Sequence, residues 1–389
     1  PAIITAPPPD KLIVSGSYDI PFWVEIILGK YLYGQPTNRY LQDLNDQGLP
    51  VSPGTVAGGL QKISPLFTPL IEALYSKQMS EKLFHNDETR WEVFVDVKGK
   101  VGTRWYLWVT RSESVIFYCI DPSRSTAVPG AHFAGLQNSQ VIIVCDRYSA
   151  YKKLARLSDA ILLAYCWAHV RRDFINAATS FKKLAPWALQ WKEFIGKLYH
   201  LNQQRLTQFK PDLPLTKQSD DFNQSHQALQ ELLQSMYTEA KEVVQQNKTD
   251  NIEAGRKETS LVGIKSSAEK KQIKVYQSLL NHWQGLTLFV NNPQVPLDNN
   301  SAENSIRNPV TGRKAYYGSG SIWSAELAAI LFSILQTLVL WNINPRHWLS
   351  AYFKACAKNK GKAPKDIQSF IPWDMDDARK SLLSRPEPP

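Results

Sequence analysis

Residues 141–166, VIIVCDRYSAYKKLARLSDAILLAYC, decide the fold. VIIVC, 141–145, is apolar throughout and rich in β-branched residues, as a strand covered on both faces should be. ILLAYC, 161–166, is similar, and Tyr148–Leu157 between them reads as a helix. Two buried strands joined through a helix are expected to run parallel. Upstream, from residue 83, the period is that of a strand: Trp91, Val93, Val95 and Val97 alternate with Glu92, Phe94 and Asp96. KGKVGT, 98–103, reads as a turn, and RWYLWVT, 104–110, and SVIFYCI, 114–120, give two more strands of an antiparallel meander. A short helix near Ala131–Leu136 leads into VIIVC.

Three antiparallel strands followed by two parallel ones, flanked by helices, describe an α/β, ribonuclease-H-like mixed sheet. The remaining segments attach to it. Residues 1–15 are a proline-rich linker. Residues 16–80 form a helical module in which Ser52-Pro53 starts a second helix, a helix-turn-helix pattern. That second helix carries Gly58, Gly59 and a single cation, Lys62, which is poor equipment for reading bases. A packing or self-association module fits equally well. The core occupies 81–180 and resumes at 298–344, and the Gln-, Lys- and Glu-rich stretch 181–297 is a large helical insertion. Residues 345–389, with Lys358, Lys360, Lys362 and Lys365, read as a basic tail. Leu327–Ile343 is the one membrane-like run. Its marginal length and its Ser333, Gln336 and Asn342 favour a helix buried on the sheet, so no membrane is expected.

Length and charge narrow the partners. The 389 residues suffice for about two or three domains. Lysine and arginine number 45 against 35 acids, a net charge of +10, which favours a polyanion without choosing among DNA, RNA and a membrane surface. Cys119, Cys145, Cys166 and Cys356 form no C-x-x-C pair and read as thiols of a reducing compartment. No signal peptide is visible, so a cytoplasmic location is expected. The chain begins with Pro rather than Met, and the natural N-terminus is expected upstream.

The chemistry centres on DNNSAENSIRNPVTGRKAYY, 298–317. Glu303 heads a helix there and is followed by Arg307, Arg313, Lys314, Tyr316 and Tyr317. A carboxylate beside cations and stacking rings suits a metal-dependent enzyme acting on a polyanion. Asn300 and Glu303 also have the spacing of a capping box, so the glutamate could simply cap its helix. Asp87, in HNDETRW, and Asp146, just past VIIVC, are the two earlier acids. Asp146 also fits a turn or cap position. Strand alternation puts Asp87 and Glu88 on opposite faces, so only one of them enters a site, and His85 shares the face of Asp87. Cys166 and His169 have C-x-x-H spacing with no matching second pair, which favours a core cysteine and a structural histidine over zinc.

HNDETRW, CDRYSAY, CWAHVRR, LDNNSAENSIR and GRKAYYGSGS, in that order, resemble the transposases of the insertion-sequence-66 family. The resemblance covers most of the chain, and five ordered motifs are specific where one would be weak. It implies an Asp-Asp-Glu catalytic triad at Asp87, Asp146 and Glu303, on magnesium or manganese as substitute. It implies cleavage of transposon ends and strand transfer into target DNA. Arg171, Arg172, Arg307, Arg313, Lys314, Tyr316 and Tyr317 would then contact DNA. A homo-oligomeric synaptic complex, accessory proteins of the same element and a nucleoid-associated location in bacteria are expected with it. Family members carry a cysteine-rich zinc module ahead of the proline-rich linker, which is not in this sequence. An inactive DNA-binding remnant is the alternative, and another nuclease or resolvase on the same fold is a third reading.

Overall fold

The computed structural model describes residues 11–13, 16–97, 101–138, 140–257, 260–261 and 266–386. Most of the expected proline-rich linker, and the first half of the KGKVGT turn, lie outside the described residues. The protein is α/β. It divides into two compact units, Pro1–Val141 with Asn300–Pro389, and Ile142–Asn299.

The first unit opens with helices α1 (Ile20–Ile27), α2 (Thr37–Asp46), α3 (Pro53–Ile63) and α4 (Thr68–Met79). Ser52 caps α3 by accepting the Thr55 N–H at 3.2 Å, with Pro53 as first residue, as its sequence predicts. The meander follows: β1 (Leu83–Val93), β2 (Arg104–Arg111) and β3 (Ile116–Asp121), then α5 (Ala127–His132). The second unit holds nearly all of β4 (Val141–Cys145), then α6 (Ser149–Leu157), β5 (Ile161–Tyr165) and α7 (Trp167–Ser180). Among the described residues it continues with helices only: α8 (Ala185–Gln208), α9 (Asp220–Glu253), α10 (Ser267–Asn281), α11 (Trp283–Leu286) and α12 (Leu288–Asn291). The chain then returns to the first unit with α13 (Asn300–Tyr316), β6 (Gly318–Ser319), α14 (Ile322–Leu340), α15 (Pro345–Lys358) and α16 (Asp377–Leu383).

The sheet of the first unit is mixed. β2 pairs antiparallel with both β1 and β3, and β6 pairs parallel with β1. One face carries His85, Asp87, Thr89, Trp91 and Val93 of β1, level with Val109 and Leu107 of β2 and Tyr118 of β3. Its apolar members join Ala302, Ile306, Phe332 and Leu335 of α13 and α14 in one core. The membrane-like run is α14, mostly buried. Its hydroxyls have a specific use. Ser333 Oγ accepts the Tyr118 N–H at 2.8 Å and Thr337 Oγ1 accepts the Ile116 N–H at 3.1 Å, so the helix satisfies donors that β3, at the sheet edge, would otherwise leave unpaired.

The segment read as a basic tail is corrected by the structure. Trp348, Leu349, Tyr352, Phe353 and Cys356 of α15 are buried, as are Phe370, Ile371, Met375 and Leu383 beyond it. The lysines dominate the composition, but the apolar residues recur at helical spacing and complete the core of the first unit.

On the opposite face of the sheet, His132 packs against the rings of Tyr75, Phe117 and Phe133 beside an apolar cavity of about 270 Å³. Its Nε2 lies 3.0 Å from Gln78 Oε1, an acceptor, and therefore carries the proton of a neutral ring. Burial pushes its pKa from 6.5 down to about 4. The folded state thus disfavours the imidazolium. The stabilisation is complete above pH 6.5 and is lost as pH falls from there towards 4, a loss of about 3 kcal/mol. Urea unfolding from pH 7 to 4 should show this loss in the wild type, and His132→Gln should remove that part of the pH dependence.

In the second unit β4 is buried along its whole length and neighbours β5. The helices have their own core. Arg205 is fully buried on α8, where its guanidinium donates to the carbonyls of Phe289 and Val290 at the end of α12, at 3.0 and 2.9 Å. Burial lowers its pKa to about 10, so it stays charged.

Candidate functional site

Asp87 sits mid-strand on β1, opposite Val109, on the face covered by α13. One carboxylate oxygen accepts the Glu88 N–H at 2.9 Å. Glu88 points to the other face, where Arg124 donates to it from Nη2 at 2.6 Å and Nε at 3.0 Å. The alternation therefore separates the two acids, and the arginine occupies Glu88.

Glu303 lies in the first turn of α13. Two hydrogen bonds fix its height above the sheet. Arg111, opposite His85, donates to the Ser301 carbonyl at 3.3 Å, two residues before Glu303. Tyr118, opposite Val109 and so level with Asp87, donates its hydroxyl to the Ser305 carbonyl at 2.7 Å, two residues after Glu303. Glu303 is bracketed between the levels of His85 and Asp87. The second bond has a cause in the sequence. Pro309, inside α13, has no N–H to give to the Ser305 carbonyl four residues back, so that carbonyl is left for Tyr118. The Tyr118 hydroxyl is buried and its pKa is raised, so it remains a donor.

The far end of α13 is pinned as well. Arg313 donates to Thr89 Oγ1 at 3.3 Å and to the Arg90 carbonyl. Tyr316 packs edge-on against Trp91 with the Lys30 ammonium over its ring at 5.6 Å. Arg313 and Tyr316 thus hold the helix to the sheet. Arg307 and Lys314 are exposed on α13. Tyr317 is 71% exposed and has φ of +69°, an unusual conformation for a tyrosine, which turns its ring to solvent.

The second unit places its residues as follows. Asp146 follows β4 directly, and its Oδ1 accepts the Tyr148 N–H at 2.9 Å, fixing the turn into α6. Cys166 is buried at the start of α7, and its sulfur accepts the Asn299 N–H at 3.3 Å. His169, Arg171 and Arg172 follow on α7, both arginines exposed. Arg147, unremarked in the sequence, pairs with Asp173 at 2.5 Å.

Asp87 and Glu303 both offer carboxylate oxygens, the donor type that magnesium takes. The sequence signalled both acids but not Tyr118, whose partner lies 187 residues away. Pro309 in a helical stretch was the available sign that a carbonyl there needed an outside donor.

Comparison with known proteins agrees with these motifs. The chain is 22% identical over 389 residues to the uncharacterized protein y4jD of Sinorhizobium fredii (strain NBRC 101917 / NGR234), covering 96% of this chain and 69% of that protein. The uncharacterized proteins y4hP and y4qI of the same strain are 22% and 23% identical over 92% and 96% of this chain. The chain spans 62% and 66% of those two, about two thirds of the length of the curated relatives it matches. A family model described as "Transposase IS66 family" matches residues 16–327, well over half of the sequence. The chain belongs to the IS66 family of transposases.

Proposed function

We propose that the protein is a metal-dependent DNA transposase built on a ribonuclease-H-like core, with Asp87, Asp146 and Glu303 as its acids. The observation that supports this is the bracketing of Glu303 between the levels of His85 and Asp87 by the Arg111–Ser301 and Tyr118–Ser305 hydrogen bonds. The three carboxylates would hold magnesium, or manganese in its place, and a bound pair of such ions stabilises the attacking and leaving oxygens of phosphodiester exchange. The chain's own residues present the substrate. Arg307 and Lys314, exposed on α13, neutralise backbone phosphates, as do Arg171 and Arg172 on α7. Tyr317 offers its ring to an unstacked base. Arg313 and Tyr316 keep the glutamate's helix in place. In this reading the partners are element ends and target DNA, in a homo-oligomeric synaptic complex with accessory proteins of the same element. Residues 181–297 are an insertion into the catalytic core.

The test is a joining assay with pre-cut element ends and a plasmid target. Wild type should join in magnesium or manganese and fail in chelator. Asp87→Asn and Asp146→Asn should each lose about 10³-fold or more. Undiminished joining in either variant would remove that acid from the site. DNA binding without joining in any metal would favour an inactive remnant.

A further inference from the structure

The second unit carries a basic cleft that none of these residues enters. It lies beside β5, between α6 and the α10–α11 turn, and encloses about 640 Å³. Lys152 and Arg156 of α6 line one side, and Asn281, His282 and Gln284 line the other. Among the described residues no carboxylate lines it. The wall is unusually close to the strand. A Cβ on Gly285 would lie 2.7 Å from the Leu163 carbonyl oxygen, so the backbone of α11 rests directly on β5.

The hydrogen bonds define what the cleft offers. His282 Nδ1 lies 2.6 Å from the Ser278 carbonyl, which can only accept, so Nδ1 carries the proton. Nε2 is then an acceptor, and Lys152 Nζ donates to it at 3.2 Å. Burial first, and then the Lys152 and Arg147 charges, lower the pKa of this histidine, with the Ser278 carbonyl and Asp173 opposing. The ring stays neutral and steers the ammonium into the cleft with two N–H groups to spare. Arg147 is excluded, since its charge is met by Asp173. Lys152 and Arg156 are four residues apart on one helix face, a like-charge spacing that disfavours the helix slightly unless an anion lies against it.

We propose that this cleft binds the phosphodiester backbone of duplex DNA, with Lys152 and Arg156 neutralising neighbouring phosphates and the Asn281 and Gln284 amides bonding the same strand. Lys152 and Arg156 stand one helical turn apart on α6, a spacing that suits neighbouring phosphates of one strand. The proposal rests on the transposase reading and adds to it a contact surface distinct from Arg171 and Arg172.

The experiment measures binding of a labelled linear duplex across a salt series, for the full chain and for the Lys152→Gln/Arg156→Gln double variant. The affinity of the variant should fall by about tenfold or more, and its salt slope should be smaller by about 2. Equal affinity and slope in a wild type and variant that both bind would overturn the cleft proposal alone. A wild type that binds no duplex at any salt would overturn the transposase reading, and the cleft with it.

Discussion

Glu303→Gln is expected to lower strand joining by about 10³-fold or more, while Glu88→Gln leaves it within about twofold. The two glutamates look equally acidic in the sequence, but their settings differ. Glu303 stands between the levels of His85 and Asp87 on α13, held there by the bonds that Ser301 and Ser305 accept. Glu88 is on the other face under two hydrogen bonds from Arg124. Glutamine keeps the shape of Glu303 and removes only its charge, so the loss reads the carboxylate itself. About 10³-fold corresponds to about 4 kcal/mol of transition-state stabilisation, well above the effect of a surface contact. Both variants should melt with the wild type. Full activity in Glu303→Gln would return this residue to the role of a helix cap. Loss in Glu88→Gln with activity in Asp87→Asn would exchange the two candidates on β1.

Gly59→Ala is expected to destabilise the protein by about 3 kcal/mol, and Gly58→Ala to stabilise it by up to about 1 kcal/mol. Both glycines lie inside α3, where alanine is the better helix former. At Gly58 a methyl group meets nothing within 4 Å. At Gly59 it would sit 1.9 Å from Trp23 Cη2, and Trp23 is 2% exposed with no room to retreat. Urea midpoints of the two variants should move in opposite directions. A neutral Gly59→Ala would mean that α3 does not rest on Trp23. The glycine that weakens the helix as a base reader is thus the one that seats it on α1. Val56, Leu60 and Ile63 are buried along the same helix, which favours packing as its role.

Much of the fold was legible because its signals are local. β4 has the limits of VIIVC, and α6 and β5 follow as their composition predicts. The three strands of the meander appear antiparallel and in order. What the sequence concealed depends on distant partners. The two-residue strand β6 exists only through pairing with Glu92 and Val93. The apolar spacing of α15 was hidden beneath lysines. At the candidate site, Asp87, Asp146 and Glu303 could be nominated from motifs, but Arg313 and Tyr316 read as DNA contacts because nothing local reveals Thr89 and Trp91 beneath them. Nothing local to Lys152 and Arg156 signals the cleft, because His282 stands 130 residues from Lys152.

The hydroxyls of Ser333 and Thr337 have a consequence for how copies of this protein meet. A bare outer strand is a template on which a second molecule can lay its own backbone, and a third on that, without limit. Along β3 the donors of Ile116 and Tyr118 are already taken from within the same chain. Growth by strand addition is closed on that side, and the apolar helix that closes it is itself kept from water by the same contact. Any grouping of molecules at that edge must therefore use side-chain surfaces.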